Sequence, residues 1–174
     1  MKSDGLGSDF DEFVRAASPG LLHVAFLLCG DRGHAEDLLQ TALLRTARRW
    51  SSVHSDPRAY ARAALVNLVK DSWRDRSRRP PETPLLADTD TGATDDGTEA
   101  IVLRSALLHL VSELPPRQRA VLILRYYEDL PVEQVATLLD CTAAAVKSQT
   151  HYARTRLREL LANDHLDLLD DRRR

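Results

Sequence analysis

At 174 residues, with 43% apolar and 29% charged side chains, the chain can bury a core and has the size of one domain or two small ones. Its formal net charge of −2 is close to zero, so overall charge does not indicate a nucleic-acid partner. Cys29 and Cys141 lie far apart, with no C-x-x-C pair or nearby histidine cluster. This spacing argues against a metal site or a bound cofactor and favours free thiols in a reducing compartment.

Neither a membrane span nor a signal peptide is expected. No apolar run approaches the ~18–20 residues that a span needs, and the polar start MKSDGLGSDFDE is unlike a signal peptide. The sequence therefore predicts a cytoplasmic protein that makes no membrane contact of its own.

Charge divides the chain into three segments. Residues 1–79 carry 13 Lys/Arg against 10 Asp/Glu, residues 80–98 carry five acids and no base, and residues 99–174 carry 11 of each. The middle segment is rich in Pro, Thr, Asp and Gly and has no helical period, which predicts a flexible acidic linker. We therefore expect an all-α protein with two small helical domains, residues 9–79 and 99–163, joined by that linker.

The first domain is predicted to hold three helices. Apolar residues recur at a helical period over 9–29 and again over 33–50, and Gly30 should end the first of these helices. Ser18-Pro19 allows either two helices or one kinked helix in the first stretch. Asp56 is a predicted N-cap for a third helix that begins at Pro57. This helix ends with more arginines than its dipole needs, at Arg74, Arg76, Arg78 and Arg79.

The second domain is predicted to hold shorter helices. One should span 99–113, another should start after Pro115-Pro116, and a third should start at Pro131. Thr142 is a good N-cap for the last helix, which holds four Lys/Arg and no acid before Glu159. Two short helices joined by a tight turn, the second of them basic, outline a helix-turn-helix, although many helical hairpins are simply core.

The faces of the last helix can be separated by period. The predicted buried stripe is Val146, Ala153, Leu157, Leu160 and Leu161. The residues that lie largely off it are Lys147, Ser148, His151, Tyr152 and Arg154. Lys, Arg and Ser can contact bases or phosphates, whereas His and Tyr can stack or contact the backbone. A solvated surface is the alternative for this set. Arg156 and Arg158 suit phosphate contacts or plain surface charge.

The order of these segments resembles a known family. HAEDLLQTALLRTARRW, then PRAYARAALVNLVKDSWRDRSRRPP, an acidic linker and LPPRQRAVLILRYYEDLPVEQVATLLDCTAAAVKSQTHYARTRLREL are similar to the extracytoplasmic-function sigma factors of bacterial RNA polymerase. The segments GDRGHAEDLLQ and DPRAYARAALVNL further resemble an actinobacterial, sigma-E-like branch. The resemblance covers roughly residues 9 to 163. It implies two helical domains on a linker, a sigma region 2 bundle and a sigma region 4 helix-turn-helix.

The resemblance also implies partners and contact residues. The partners are core RNA polymerase, through its beta and beta-prime subunits, promoter DNA and an anti-sigma factor. The implied polymerase-binding residues are Glu36, Asp37 and Gln40. The implied contacts to the minus-ten element are Asn67, Lys70, Trp73, Arg74, Arg76, Arg78 and Arg79, although Trp73 also suits an ordinary core position. The implied contacts to the minus-thirty-five element are Thr142, Ala144, Lys147, Ser148, His151, Tyr152, Arg154 and Arg158.

The chain departs from the family pattern in four places. Pro131 replaces a Ser-like cap, Asp140 replaces a glycine in the turn, Lys147-Ser148-Gln149 replaces a Lys-Ser-Arg sequence, and His151 replaces an aromatic residue or Arg. Proline is compatible with a first helical turn, and aspartate can adopt the left-handed conformation at modest cost. We therefore expect an intact fold with an altered promoter preference.

The expected function is a sigma factor that binds core polymerase and directs it to the promoters of a stress- or signal-responsive regulon. A stand-alone helix-turn-helix regulator is the alternative, but it leaves AEDLLQ and the acidic linker unexplained. An adaptor that only sequesters a partner is another. No G-x-S-x-G, P-loop or H-E-x-x-H motif is present, so we expect no enzyme activity.

Overall fold

The structure is a computed structural model that describes residues 4–53, 55–78 and 107–171, with side chains for 7–53, 55–75 and 107–162. The chain divides into two compact units, residues 1–87 and 88–174. All regular elements within the described ranges are helical, which confirms the predicted all-α class. The predicted linker 80–98 lies outside the described residues, and the bounds of the predicted domains stay predictions.

Three helices that pack on one another form the first unit. These are α1 (Asp4–Cys29), α2 (Arg32–Arg48) and α3 (Pro57–Arg78), with a 3₁₀ turn at Trp50–Ser52 between the last two. Each contributes an apolar stripe, as the period predicts. The most buried side chains of this core include Leu21, Val24, Leu28, Leu65, Val66 and Val69.

Helix α1 is continuous through Pro19, so the two-helix alternative is wrong. A proline inside a helix costs about 3 kcal/mol because it removes one hydrogen bond and crowds the preceding turn. Ala17 before Pro19 and Leu21 after it are both buried on the same core. Packing on both sides of the proline therefore holds the helix together. It ends where predicted, at Gly30, whose φ is 76°.

Part of α1 is more apolar than the sequence analysis expects. Gly7–Cys29 is long and apolar enough to cross a membrane, judged by length and composition alone. In the structure its apolar face packs against α2 and α3, where Leu21, Val24 and Ala25 are fully buried. The apolar character of α1 is thus accounted for by the core of the first unit.

Side-chain caps and an aromatic cluster define the ends of these helices. Asp56 accepts a hydrogen bond from the Ala59 amide at 2.9 Å, which confirms the predicted cap of α3. Asp31 caps α2 in the same way, accepting from the His34 amide at 2.6 Å. Beyond α2, the Trp50 ring lies 5.0 Å from the ring of Phe10 and 5.2 Å from that of Phe13. This cluster ties the start of α1 to the end of α2.

Shorter helices arranged around one long helix form the second unit. These are α4, described over 107–112, α5 (Pro116–Leu122), α6 (Val132–Leu138) and α7 (Ala143–Asp171). Helices α5 and α6 both pack against α7. The core side chains that are buried here include Leu110, Leu114, Val121, Leu124, Leu130, Val135, Val146 and Ala153.

Between α5 and α6 the chain departs from the regular helix that the sequence predicts. Ile123–Tyr127 forms a π-helical turn, in which the Glu128 amide donates to the Ile123 carbonyl at 3.0 Å. Asp129 follows in the left-handed conformation, with φ 51°. The wide turn keeps Ile123 and Leu124 buried and leaves Tyr126 and Tyr127 exposed.

Candidate nucleic-acid interface

Helices α6 and α7 are joined by the four residues 139–142, which confirms the predicted helix-turn-helix spacing. Asp140 adopts the left-handed conformation that the family pattern assigns to glycine, with φ 50°. The Cys141 amide donates to the Ala136 carbonyl at 3.0 Å and closes the turn. Thr142 then caps α7, because its Oγ1 accepts from the Ala145 amide at 3.1 Å.

One face of α7 holds it on the second unit. Val146 and Ala153 are fully buried, and Leu157 packs against a cluster of Leu114, Leu122 and Ala153. The predicted stripe is correct up to this point. Leu161 is 44% exposed and does not belong to it. The period alone cannot show where the neighbouring helices stop covering α7.

The opposite face of α7 carries the residues that the sequence singled out for DNA. All of the predicted side chains on this helix are exposed, namely Ala144, Lys147, Ser148, His151, Tyr152, Arg154 and Arg158. The His151 and Tyr152 rings lie 6.0 Å apart, edge to face. Thr155 lies on the same face, four residues after His151, and is half-buried.

The arginines of α7 differ in whether they form an ion pair. Arg156 Nη1 lies 3.2 Å from Glu159 Oε2, in an exposed pair, and Arg156 is one turn after Tyr152. Among the side chains that the structure describes, Arg154 and Arg158 form no such pair. Their positive charge is therefore available to a partner that carries phosphates.

Helix α3 presents only part of the predicted minus-ten set. Asn67 and Arg74 are exposed seven residues apart, on one face, and Arg74 Nη1 lies 3.4 Å from Asp71 Oδ1. Trp73 is half-buried and lies nearer the core side of the helix. The side chains of Arg76 and Arg78 lie outside the described residues, and so does the whole of Arg79.

Lys70, another member of the predicted minus-ten set, is buried. Its side chain is only 9% exposed, beside the fully buried Val69. A lysine in this position cannot lie flat against a phosphate backbone without leaving the core. The helical period places Lys70 between the two faces, and only packing decides its exposure.

Helix α2 presents the three residues predicted to bind polymerase. Glu36, Asp37 and Gln40 are exposed, whereas Leu38 and Leu39 are buried in the core. Glu36 pairs with Arg32 across 3.2 Å, in a contact where both side chains are more than half exposed. Exposed pairs of this kind contribute little to stability, so they leave the acids accessible to a partner.

Cysteine and metal chemistry give no further site. Neither cysteine forms a disulfide bond, and Cys29 is buried. Within the described part of the chain, no three His, Cys, Asp or Glu side chains come close enough to hold a metal ion.

Comparison with known proteins matches both units. A family model described as Sigma-70 region 2 matches residues 13–79, and one described as Sigma-70, region 4 matches residues 104–157. The RNA polymerase sigma-E factor of Streptomyces avermitilis is 39% identical over 162 residues, covering 91% of this chain and 88% of that protein. The chain belongs to the extracytoplasmic-function sigma factors of bacterial RNA polymerase.

Other relatives support this assignment of the sigma factor. The ECF RNA polymerase sigma factor SigL of Mycobacterium tuberculosis is 32% identical, over 79% of this chain and 80% of that protein. The sigma factor RpoE of Bartonella quintana, solved with the anti-sigma factor NepR, has a TM-score of 0.67 at 24% identity, covering 88% of this chain and 97% of that one. The second likeness concerns the fold alone.

These comparisons confirm the predicted family and its sigma-E-like, actinobacterial character. As a sigma factor, the protein acts with core RNA polymerase and promoter DNA in starting transcription. A stand-alone helix-turn-helix regulator would not account for the region 2 match over the first unit. That alternative is therefore set aside.

Proposed function

We propose that this sigma factor divides promoter recognition and polymerase binding among three helices. Helix α2 binds core polymerase, α3 contacts the minus-ten element, and the start of α7 reads the minus-thirty-five element. The observation that carries the proposal is the exposed face of α7, which lies opposite Val146 and Ala153 and begins at the Thr142 cap.

The geometry of the helix-turn-helix supports a division of roles along α7. Lys147 and Ser148 are exposed in the first two turns, where a recognition helix reaches base edges. Arg154 and Arg158 lie one to three turns further along, where such a helix rises towards the backbone. The first pair would read sequence, and the second pair would bind phosphates whatever the sequence.

The exposed face of α3 supports contact with the minus-ten element. Asn67 has an amide that can hydrogen-bond an unstacked base. Arg74 places a positive charge on the same face, two helical turns later. Lys70 is left out of this surface because it is buried. Asp71 holds Arg74 in the free protein, so DNA would have to compete with this exposed and weak pair.

The exposed acids of α2 support binding to the beta-prime subunit. Glu36 and Asp37 lie in the first two turns, off the stripe that Leu38 and Leu39 bury in the core. Acids at such a surface speed up association with a basic partner and suppress wrong partners. The sigma factor itself performs no chemistry and acts in the cytoplasm, where polymerase acts. An anti-sigma factor would regulate it, as the RpoE–NepR structure illustrates for its own pair.

Run-off transcription with core polymerase on genomic promoter fragments tests this proposal. We expect specific transcripts with the wild type and much weaker ones with the double variant Glu36→Lys/Asp37→Lys. The matched control is Asp9→Lys/Asp11→Lys, which changes charge equally at exposed positions of α1 and should transcribe normally. Absence of specific transcripts with the folded wild type would contradict the proposed function. Equal activity of the two double variants would remove only the assignment of α2.

A further inference from the structure

Helix α2 exposes a large apolar side chain on the face that carries its acids. Leu44 is 54% exposed, four residues after Gln40 and seven after Asp37. Residues at these spacings lie on the same face of an α-helix. Leu43 and Ala47, both half-buried, lie beside Leu44. On this face of α2, the acids of the first turns are thus followed by a turn with apolar side chains.

A single exposed leucine is common on protein surfaces and needs no explanation by itself. Leu44 differs because of its neighbours. Charged and amide side chains border it on the N-terminal side, and Arg48 follows it one turn later, also exposed. An apolar centre with a polar rim is the usual composition of a protein–protein interface. Two other leucines of α2, Leu38 and Leu39, are buried in the core.

We infer that Leu44 is the apolar anchor of the polymerase-binding face of α2, inserting between apolar side chains of the beta-prime subunit. This inference rests on the proposed function, in which Glu36, Asp37 and Gln40 bind that subunit. The face is continuous with those residues, and its charge defines the partner as a surface with basic groups beside an apolar depression. Apolar burial at an interface centre carries much of the binding energy.

The charges of the face suggest what the acids contribute. Glu36 is already paired with Arg32 at 3.2 Å. Within the described residues, the Asp37 carboxylate makes no ion pair. Rim charges act mainly on the rate of association, whereas well-packed anchors act mainly on the rate of dissociation. Leu44 and Asp37 should therefore affect different rate constants.

Binding kinetics on immobilised core polymerase test this division, at low and at high salt. For Leu44→Ala we expect the Kd to rise about tenfold, through faster dissociation and at both salt concentrations. For Asp37→Asn we expect slower association at low salt and no difference at high salt, because screening removes the effect. Leu44→Met should stay close to the wild type, since it keeps the apolar volume.

The matched control is Leu161→Ala, which removes a leucine of similar exposure from the end of α7. It should bind core polymerase like the wild type, and circular dichroism should show all variants folded. If Leu44→Ala binds within twofold of the wild type while Asp37→Asn associates slowly, Leu44 is not an anchor, and the proposed function stands. If neither variant differs from the wild type, α2 does not bind polymerase through this face, and both the role of Leu44 and the proposed assignment of α2 are wrong.

Discussion

The two units of this sigma factor are stabilised in different ways. The first unit consists of three long helices of 26, 17 and 22 residues that pack along one another. The second packs two helices of seven residues each, α5 and α6, against the long helix α7. Helices this short are marginal by themselves and form only through tertiary packing and caps. The second unit therefore depends more on the geometry of its turns.

The backbone shows the same contrast. In the described part of the chain, the non-glycine residues with positive φ are Asp129 and Asp140, and both lie in the second unit. In the first unit the left-handed position is filled by Gly30, which adopts it without steric cost. The first unit relies on packing, whereas the second holds its short helices with two strained turns and a π-helical turn.

Core truncations should have the largest effect and should separate the two units. Leu21 and Leu124 are fully buried in the first and second unit, and Leu→Ala at such sites costs about 2–5 kcal/mol. Both tryptophans, Trp50 and Trp73, lie in the first unit. In urea titrations, Leu21→Ala should lower the midpoint that tryptophan fluorescence reports. Leu124→Ala should leave that midpoint unchanged and lower the midpoint of a transition that only far-ultraviolet circular dichroism detects. Equal shifts of the fluorescence midpoint would mean that the units unfold together.

The DNA-binding face of α7 gives the next largest effect. Replacing a base-reading residue costs ~1–3 kcal/mol at one base pair, so Lys147→Ala and Ser148→Ala should relax the upstream preference. Arg158→Ala should weaken binding to all sequences alike and reduce the slope of log affinity against log salt concentration by about one unit. The measurement is binding of holoenzyme to a promoter library across a salt series.

Arg156→Ala is the control for these variants, because Glu159 already pairs with the Arg156 side chain. It should leave the preference unchanged and reduce the salt slope by less than Arg158→Ala does. An unaltered upstream preference in Lys147→Ala and Ser148→Ala would identify the exposed set as an ordinary solvated surface.

Removal of one helix cap in each unit compares their dependence on local structure. Thr142→Ala and Asp56→Ala each remove a side-chain acceptor from the first turn of a helix, at a typical cost of ~1 kcal/mol. We expect the full cost for Thr142→Ala and a smaller one for Asp56→Ala, whose helix is also held by a long core stripe. Thr142→Ser should restore the stability, since it keeps the acceptor. A larger loss from Asp56→Ala would contradict the contrast between the units.

The smallest expected effect is a gain in stability from relieving a strained turn. Asp129 has φ 51°, and glycine adopts this conformation without a Cβ clash. Asp129→Gly should therefore stabilise the second unit by roughly 0.5–1 kcal/mol, after the entropy cost of glycine in the unfolded chain. Gly30→Ala is the reciprocal change and should destabilise the first unit. A loss of stability in Asp129→Gly would show that the Asp129 carboxylate stabilises the fold by more than the strained backbone costs.

Much of the candidate site follows from local sequence. Thr142 and Asp56 cap the helices that they were predicted to cap, because capping involves only a side chain and an amide three residues away. Glycine at 30 and aspartate at 140 take positive φ as expected, since only a few residue types tolerate it. The exposed face of α7 was predictable because its apolar stripe repeats at the helical period.

Other features were decided by packing between distant segments. Pro19 would end an isolated helix, but Ala17 and Leu21 are buried on both sides of it, so α1 continues. Lys70 and Leu44 have exposures opposite to those that their residue types favour. The period gives the direction of a side chain on its helix, but the extent of the neighbouring helices decides whether that direction is covered. The charge, helices and caps were thus determined by the sequence itself, whereas the burial of Lys70, the exposure of Leu44 and the π-helical turn came only from the tertiary structure.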